Sequence, residues 1–316
     1  MKILILGASD VRHLLDIDDL LEELDSAFRA LSSGHVEVPP RMAANVGSAG
    51  FLACMSAYTG TLGLGAKMVS VFHGNHAHSL PSHQALITLF DPTNGSPLAI
   101  MEGTRITAIR TATAAALSAR HLARKDSKVL AIVGAGVQGH AHLEALPHVR
   151  DFREIRITSR DGDHARELAK LHPAATAVSS TEEAIRGADV VALCTASGTA
   201  VIRADWVSPG THITSVGFSP PEGELDRAVV SAGRLFVELR AASFQPPPVG
   251  CWDLQGLPPS QAAELGEVLM GTTAGRTSDA EITVYKSMGH AVEDLAAARL
   301  VYQGALRAGA GKHVEI

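Results

Sequence analysis

The chain has 316 residues, 46% of them hydrophobic and 19% charged, with a formal net charge of −6. That length and apolar content exclude a disordered chain and allow two domains with a large core. The mildly acidic balance, without a basic stripe, argues against nucleic acid as a partner, and no apolar run reaches the roughly 18 residues that a membrane span needs. Cys54, Cys194 and Cys251 lie far apart, match no zinc spacing and point to a reducing compartment. The opening run from Met1 to Gly7 is too short and too soon acidic for a secretory signal, so the expected location is cytoplasmic.

Residues 1–6 read as a strand. The Gly7-Ala8-Ser9 that follows lacks the later glycines of a nucleotide fingerprint, and Asp10 and Asp16 would repel phosphate. Ser9 or Asp10 is therefore expected as an N-cap. Helices are predicted over 10–15 and 17–32, the second with an apolar stripe from Ile17 to Leu31 and Gly34 as its stop. Strands are predicted over 36–44, 50–57, 63–72 and 84–91. The turn Asp91-Pro92-Thr93-Asn94-Gly95 leads into a return strand over 96–102. The alanine-rich stretch 104–124 is predicted as a helix bridging two domains.

From 128 to about 239 strand and helix alternate. Strand candidates are 128–133, 154–158, 175–178, 189–195, 211–217 and 234–238. Helices are expected at 137–147, 161–171, 181–186 and 203–207, with a turn near 225–231. This rhythm predicts an α/β fold with a doubly wound parallel sheet. Residues 243–260, with Pro246-Pro247-Pro248 and Pro258-Pro259, read as a loop. A last helix over about 281–307, capped by Ser278-Asp279, is longer than the sheet needs and is expected to pack back on the first domain. The expected domains are 1–122 with 290–316, and 123–289.

The most informative stretch is Val129-Leu130-Ala131-Ile132-Val133-Gly134-Ala135-Gly136-Val137-Gln138-Gly139, a buried-strand pattern followed at once by G-x-G-x-x-G. Gly134 would make the tight turn, Gly136 would leave room for a pyrophosphate, and Gly139 would let the helix pack on the strand. The helix N-terminus would receive the phosphates. The second strand of the unit ends in Ser159-Arg160, where an NAD-preferring fold carries a carboxylate. Arg160 could pair with a 2′-phosphate, assisted by Ser159 or Thr158, which favours NADP. NAD stays open as the alternative, with Asp161 or Asp163 on the ribose hydroxyls.

Three cations stand out in the first domain. Lys67 is alone in the apolar strand Leu62-Gly63-Leu64-Gly65-Ala66-Lys67-Met68-Val69, where desolvation would lower its pKa and suit it to protonating a carbonyl or imine. A lone strand lysine is otherwise usually a surface residue. Arg41 follows Pro39-Pro40 in a fixed extended segment, and Arg110 lies early in the bridging helix beside Thr111. Either could grip a carboxylate, and either alone is more often a surface ion pair. His73, His76, His78 and His83 fall close together but without a carboxylate, so no metal is expected. His83, beside Ser82, is a candidate acid/base.

Pro40-Arg41-Met42, Gly63-x-Gly65-x-Lys67-x-Val69-Ser70, Leu80-Pro81-Ser82-His83-Gln84, Asp91-x5-Pro97-Leu98-Ala99 and Thr107-Ala108-x-Arg110-Thr111-Ala112 occur in this order before the glycine fingerprint. Ser278-Asp279-x3-Thr283-x2-Lys286-Ser287-x-Gly289 follows it. As a set they resemble the ornithine cyclodeaminase/mu-crystallin family over nearly the whole chain.

The resemblance implies a Rossmann domain plus an N-terminal α/β domain that binds substrate and forms a homodimer. It also implies hydride transfer between a nicotinamide and the α-carbon of a small imino or amino acid. On this chain Arg41 and Arg110 resemble the clamp on the substrate carboxylate, and Lys67 the catalytic lysine. Ser82, Thr111, Gly134, Gly136, Val137, Gln138, Thr195, Ala196, Val216, Gly217 and Lys286 fall with the cofactor-binding positions.

Cyclodeaminases of the family carry an aspartate where this chain has Ser219, and an acidic residue just before the Met of Phe51-Leu52-Ala53-Cys54-Met55, where this chain has none. A ketimine reductase or amino acid dehydrogenase is thus expected. Alternatives are an ornithine cyclodeaminase, with Glu222, Glu224 or Asp226 substituting, and a non-catalytic binder of cofactor and a small ligand.

Overall fold

The computed structural model describes residues 2–78 and 80–315. In chain order the elements begin with β1 (Lys2–Leu6), α1 (Ala8–Leu14), α2 (Ile17–Ser32), β2 (Val36–Glu37), β3 (Met42–Val46), β4 (Gly50–Thr59), β5 (Gly63–Val71), β6 (His83–Phe90), β7 (Pro97–Glu102) and α3 (Gly103–Leu122). Next come β8 (Val129–Val133), α4 (Val137–Ala145), β9 (Glu154–Thr158), α5 (Gly162–Ala169), β10 (Ala175–Ala177), α6 (Thr181–Ile185), β11 (Val190–Leu193) and β12 (His212–Ser215). The chain ends with α7 (Arg227–Ala232), β13 (Arg234–Val237), α8 (Arg240–Ser243), β14 (Ala262–Glu264), α9 (Leu265–Leu269), β15 (Thr283–Lys286), α10 (Ala291–Ala308) and β16 (Lys312–Glu315). They divide into two units, Met1–Arg110 with His290–Ile316, and Thr111–Gly289. The division falls inside α3 rather than after residue 122, because Arg110 makes its ion pairs with α10.

In the first unit the sheet order is β16-β1-β7-β6-β5-β4-β2, with β3 paired to β4. Only β1 and β7 run parallel among these pairs. Buried and more exposed residues alternate along β4 and β5, as expected of a sheet covered on one face. That face packs under α10, which crosses β4, β5 and β6 and is backed by α2. Gly65 permits the close approach: a Cβ there would stand 3.0 Å from Leu295 of α10.

Two local expectations change. The strand expected over 36–44 breaks around Pro39-Pro40 into β2 and β3, because proline cannot donate to the ladder. The cap of α1 is Gly7, not Ser9 or Asp10, and the Asp10 carboxylate accepts from the Gly7 N–H at 2.9 Å.

In the second unit the strands run β10-β9-β8-β11-β12-β15-β13-β14, all parallel. β8, β11, β12 and β15 are almost wholly buried, the continuous apolar pattern of a sheet covered on both faces. Their core includes Val133, Val191, Leu193, Ile213 and Val284.

The helix predicted over 281–307 is corrected here. Residues 283–286 form β15 between β12 and β13, and α10 starts only after its N-cap His290. Thr283-Val284-Tyr285 favours extended backbone, and Gly289 at φ 71° separates strand from helix. The order in which successive strands are added reverses between β8 and β11, which makes the crevice at their C-terminal ends the switch point of the sheet.

Candidate active site

In the first unit the chemistry gathers around Lys67. It occupies a core-facing position of β5, between Met55 of β4 and Ile87 of β6 in register, and is only 2% exposed. Its Nζ lies 2.7 Å from Asp294 Oδ2 on α10. Arg110 meets the same carboxylate from α3, Nε to Oδ1 at 2.9 Å, and its Nη1 donates to Glu293 at 2.8 Å. Two buried cations thus share two buried carboxylates, the pairing that makes such burial tolerable.

Burial pushes the Lys67 amine down to about 8; Asp294 opposes this and the Arg110 charge adds to it. For Asp294, burial would raise the carboxyl, but Arg110 and Lys67 outweigh it and hold it below the ordinary range. The result is an acid that yields its proton near neutrality, packed among Met55, Ile87, Ala291 and Leu295.

Arg41 stands between β2 and β3 and acts electrostatically on His290, the N-cap of α10. His83 lies apart from this cluster along β6. It opens β6 on Lys67's face, but four positions from Ile87, about 13 Å along the strand. There it is exposed, and its Nδ1 lies 3.1 Å from Ser82 Oγ. Glu293, Asp294 and His290 escape the sequence reading. An acidic pair in the first turn of a helix normally complements the helix dipole at the surface, so only its apolar setting, Ala291-Val292 before and Leu295-Ala296-Ala297-Ala298 after, could have flagged it. Among the described residues no group of three or more His, Cys, Asp or Glu side chains could hold a metal ion, and the side chains of His73 and His76 lie outside that description.

In the second unit the expected cofactor residues line the C-terminal ends of adjacent strands. Gly134 has φ 109°, and a Cβ on it would meet the Cys194 carbonyl at 2.5 Å. A Cβ on Gly139 would sit 2.0 Å from the Gly134 carbonyl, whereas one on Gly136 would meet nothing within 4 Å. The first and third glycines are therefore packing requirements and the second borders open space. Gly136 is the N-cap of α4, with no side-chain cap and no acidic residue in the first turn, so the first N–H groups are left to an anion. Val137 is exposed there and Gln138 is half-buried. This cradle fits a dinucleotide. Ser159 and the exposed Arg160 follow β9 beside it. Asp161, the rival ribose ligand, caps α5 by accepting from Asp163 N–H at 2.9 Å, and Asp163 pairs with Arg166.

Thr195-Ala196 and Val216-Gly217 follow β11 and β12. One fully buried carboxylate, Glu224, ties these loops: it accepts from Thr195 N–H and Oγ1 at 2.8 and 2.7 Å, Ser215 Oγ at 2.9 Å, Val216 N–H at 3.1 Å and Gly217 N–H at 2.6 Å. Glu224 does turn inward, but as an anchor for loops, and Asp226 caps α7. Lys286 is corrected as a direct cofactor ligand. It is fully buried, with Nζ 2.9 Å from Asp253, and it donates to Ser215 Oγ at 3.1 Å and the Gly217 carbonyl at 2.6 Å. It acts on the site by fixing the Val216-Gly217 loop. Thr111 is buried near the start of this unit.

A Rossmann unit with an intact phosphate cradle, in one chain with a unit that buries a lysine of lowered pKa, defines a dinucleotide-dependent enzyme class. The chain belongs to the ornithine cyclodeaminase/mu-crystallin family, whose model matches residues 1–309. It is 38% identical over 305 residues to ketimine reductase mu-crystallin of Rattus norvegicus, covering 94% of this chain and 96% of that protein. Among solved structures it is similar to Thermococcus litoralis Δ1-pyrroline-2-carboxylate reductase in complex with NADH and L-proline, at 34% identity and TM-score 0.92, over 99% of this chain and 100% of the other. An archaeal alanine dehydrogenase dimer with bound NAD matches at 31% identity and TM-score 0.89, over all of both chains.

Proposed function

We propose that this protein is an NAD(P)H-dependent oxidoreductase moving a hydride to or from the α-carbon of a small imino or amino acid, as a cyclic ketimine reductase or an amino acid dehydrogenase. The observation that carries the reading is the buried Lys67–Asp294–Arg110–Glu293 network, whose lysine is drawn down to about 8. The family and its relatives, a ketimine reductase, a pyrroline-2-carboxylate reductase and an alanine dehydrogenase, support it.

A nicotinamide held at the Gly134–Gly139 cradle supplies or accepts the hydride. In the reductive direction Lys67, as ammonium, protonates the substrate nitrogen while the α-carbon gains the hydride, and the neutral amine then recovers a proton from solvent. Asp294 holds the Lys67 Nζ in place in both of its protonation states. Arg41 and Arg110 anchor the substrate carboxylate, and Glu293 fixes the Arg110 fork.

The cyclodeaminase alternative is less well supported, since a diamine's distal ammonium needs a carboxylate of its own. Ser219 stands at the position expected for it, and Glu224 and Asp226 serve loop and helix anchoring. The test is oxidation of NADPH and NADH with cyclic ketimines and with pyruvate plus ammonia, against L-ornithine with catalytic NAD. Turnover of ketimine or keto acid is expected; proline and ammonia from ornithine alone would reverse the reading.

Arg160 favours NADP, and Arg160→Asp is expected to move the NADPH/NADH ratio of kcat/KM about 10- to 100-fold towards NADH. An unchanged ratio removes Arg160 from the cofactor choice. A homodimer is proposed through the outer face of the first sheet, where Met42, Leu52, Met68 and Leu86 are 44–73% exposed. A cytoplasmic location is proposed with it. Among the described residues no helix is long and apolar enough to cross a membrane.

A further inference from the structure

His290 stands where strand β15 has ended and α10 begins, and its side chain makes no capping hydrogen bond. Its backbone N–H donates to Glu293 Oε1 at 2.6 Å, which fixes the residue against the acidic pair of the site. It lies four positions before Asp294, one turn away on the same helix face. Its Nδ1 is buried without a hydrogen-bond partner among the described residues. A buried polar nitrogen left in this state is costly, and ring nitrogens in protein interiors are normally satisfied. The charges acting on the imidazole are Arg41 from the segment before β3, Arg110 from α3 and Asp294 from its own helix. Burial first, and then Arg41, push the group down to about 4, with Asp294 opposing. The ring is therefore neutral at physiological pH, with one N–H to donate and one nitrogen to accept.

We infer that His290 is a third anchor for the substrate carboxylate, its Nδ1–H donating to an oxygen of the anion that Arg41 and Arg110 hold. The inference rests on the imino/amino acid reading of the Lys67 site and deepens it. A carboxylate offers about four acceptor positions, more than two guanidinium groups need fill. Arriving between Arg41 and the imidazole, it satisfies the orphaned nitrogen and offsets the Arg41 charge that disfavours protonation of the ring. A neutral donor suits this place better than a third fixed cation, because the free site then carries no additional buried charge to desolvate.

The consequence is selectivity for ligands that present a planar carboxylate. Amides and esters of the same acids lose an acceptor of full charge and bind far more weakly.

The test uses the full-length protein with NADH, and pyrrole-2-carboxylate as probe, a planar acid that cannot accept hydride. Binding is measured by calorimetry for the native protein, His290→Asn, which presents an amide N–H near the Nδ1 position, and His290→Gln, which presents it near Nε2. His290→Phe keeps the ring and removes both nitrogens. Phe and Gln are expected to bind the probe about 10- to 100-fold more weakly, and Asn within a few-fold of the native chain, with NADH affinity and Tm unchanged. Should the Phe variant not fold, the Asn–Gln pair decides alone. Equal probe affinity across the variants, or equal loss in Asn and Gln, overturns the role of Nδ1. Failure of the native protein to bind the probe, with NADH still bound, overturns instead the reading of the Lys67 site on which this inference stands.

Discussion

Each unit buries a lysine against an aspartate, and the two lysines come out as opposite kinds of group. Lys67 is 2% exposed and 2.7 Å from Asp294; Lys286 is 0% exposed and 2.9 Å from Asp253. Burial pushes both amines down, yet Lys67 settles near 8 while Lys286 rises above its ordinary value. The difference is the company each keeps. Lys67 shares Asp294 with Arg110, a second cation on the same carboxylate. Lys286 meets Asp253 with Glu224 nearby, and donates to Ser215 and the Gly217 carbonyl. A buried ammonium is thus a labile acid or a fixed ion according to whether another cation competes for its counter-charge.

The largest expected effect separates the two directly. Lys67→Met should cost about 10²- to 10⁴-fold in turnover while leaving NADH affinity intact, measured by steady-state kinetics and nucleotide fluorescence. Native-like kcat would end the acid role.

Lys286→Met should instead act on stability. It leaves Asp253 buried without its cation, and a loss of about 3–5 kcal/mol is expected in chemical denaturation. If denaturation midpoint and slope stay native, the pair is not the fixed ion described here.

The pH dependence sharpens the contrast. Reductive kcat/KM should fall above about 8 as Lys67 loses its proton, and the oxidative direction should rise through the same region. The unfolded chain holds more protons on Lys67 between about 8 and 10.5, so this lysine's contribution to stability grows as pH rises across that window. Lys286 has the opposite sign: its contribution is complete below 10.5 and is lost above the raised folded value. Asp294→Asn removes the carboxylate that Lys67 and Arg110 share, and should move the alkaline limb to lower pH. An unmoved limb would assign it to another group.

The smallest effect is expected at His83. An exposed residue about 13 Å along the strand from Lys67's register partner should tolerate alanine at a cost of about 0.5 kcal/mol, roughly 2-fold in kcat/KM. A loss like that of Lys67→Met would place His83 back in the chemistry.

Legibility divides along the same line. The glycine fingerprint could be read because each glycine answers a local demand, and two of the three are enforced by contacts under 3 Å. Lys67 could be read because a charge in an apolar alternating strand is conspicuous. Its counter-charges could not, since Asp294 lies 184 residues from Arg110 and its acidic pair imitates an ordinary helix start. The expected helix over 281–307 hid a central strand for a related reason. Thr283–Lys286 is too short for periodicity to identify, and only pairing with β12 and β13 makes it a strand.

The sequence by itself determined the parallel sheet and the glycine turn and singled out Lys67 as a candidate, because strand burial, turn geometry and an isolated charge are written in consecutive residues. The tertiary structure decided which carboxylates meet that lysine, which histidine stands beside them, and that Lys286 braces a loop. Those outcomes depend on side chains brought together from distant parts of the chain, and the sign of each pKa shift is a sum over those neighbours.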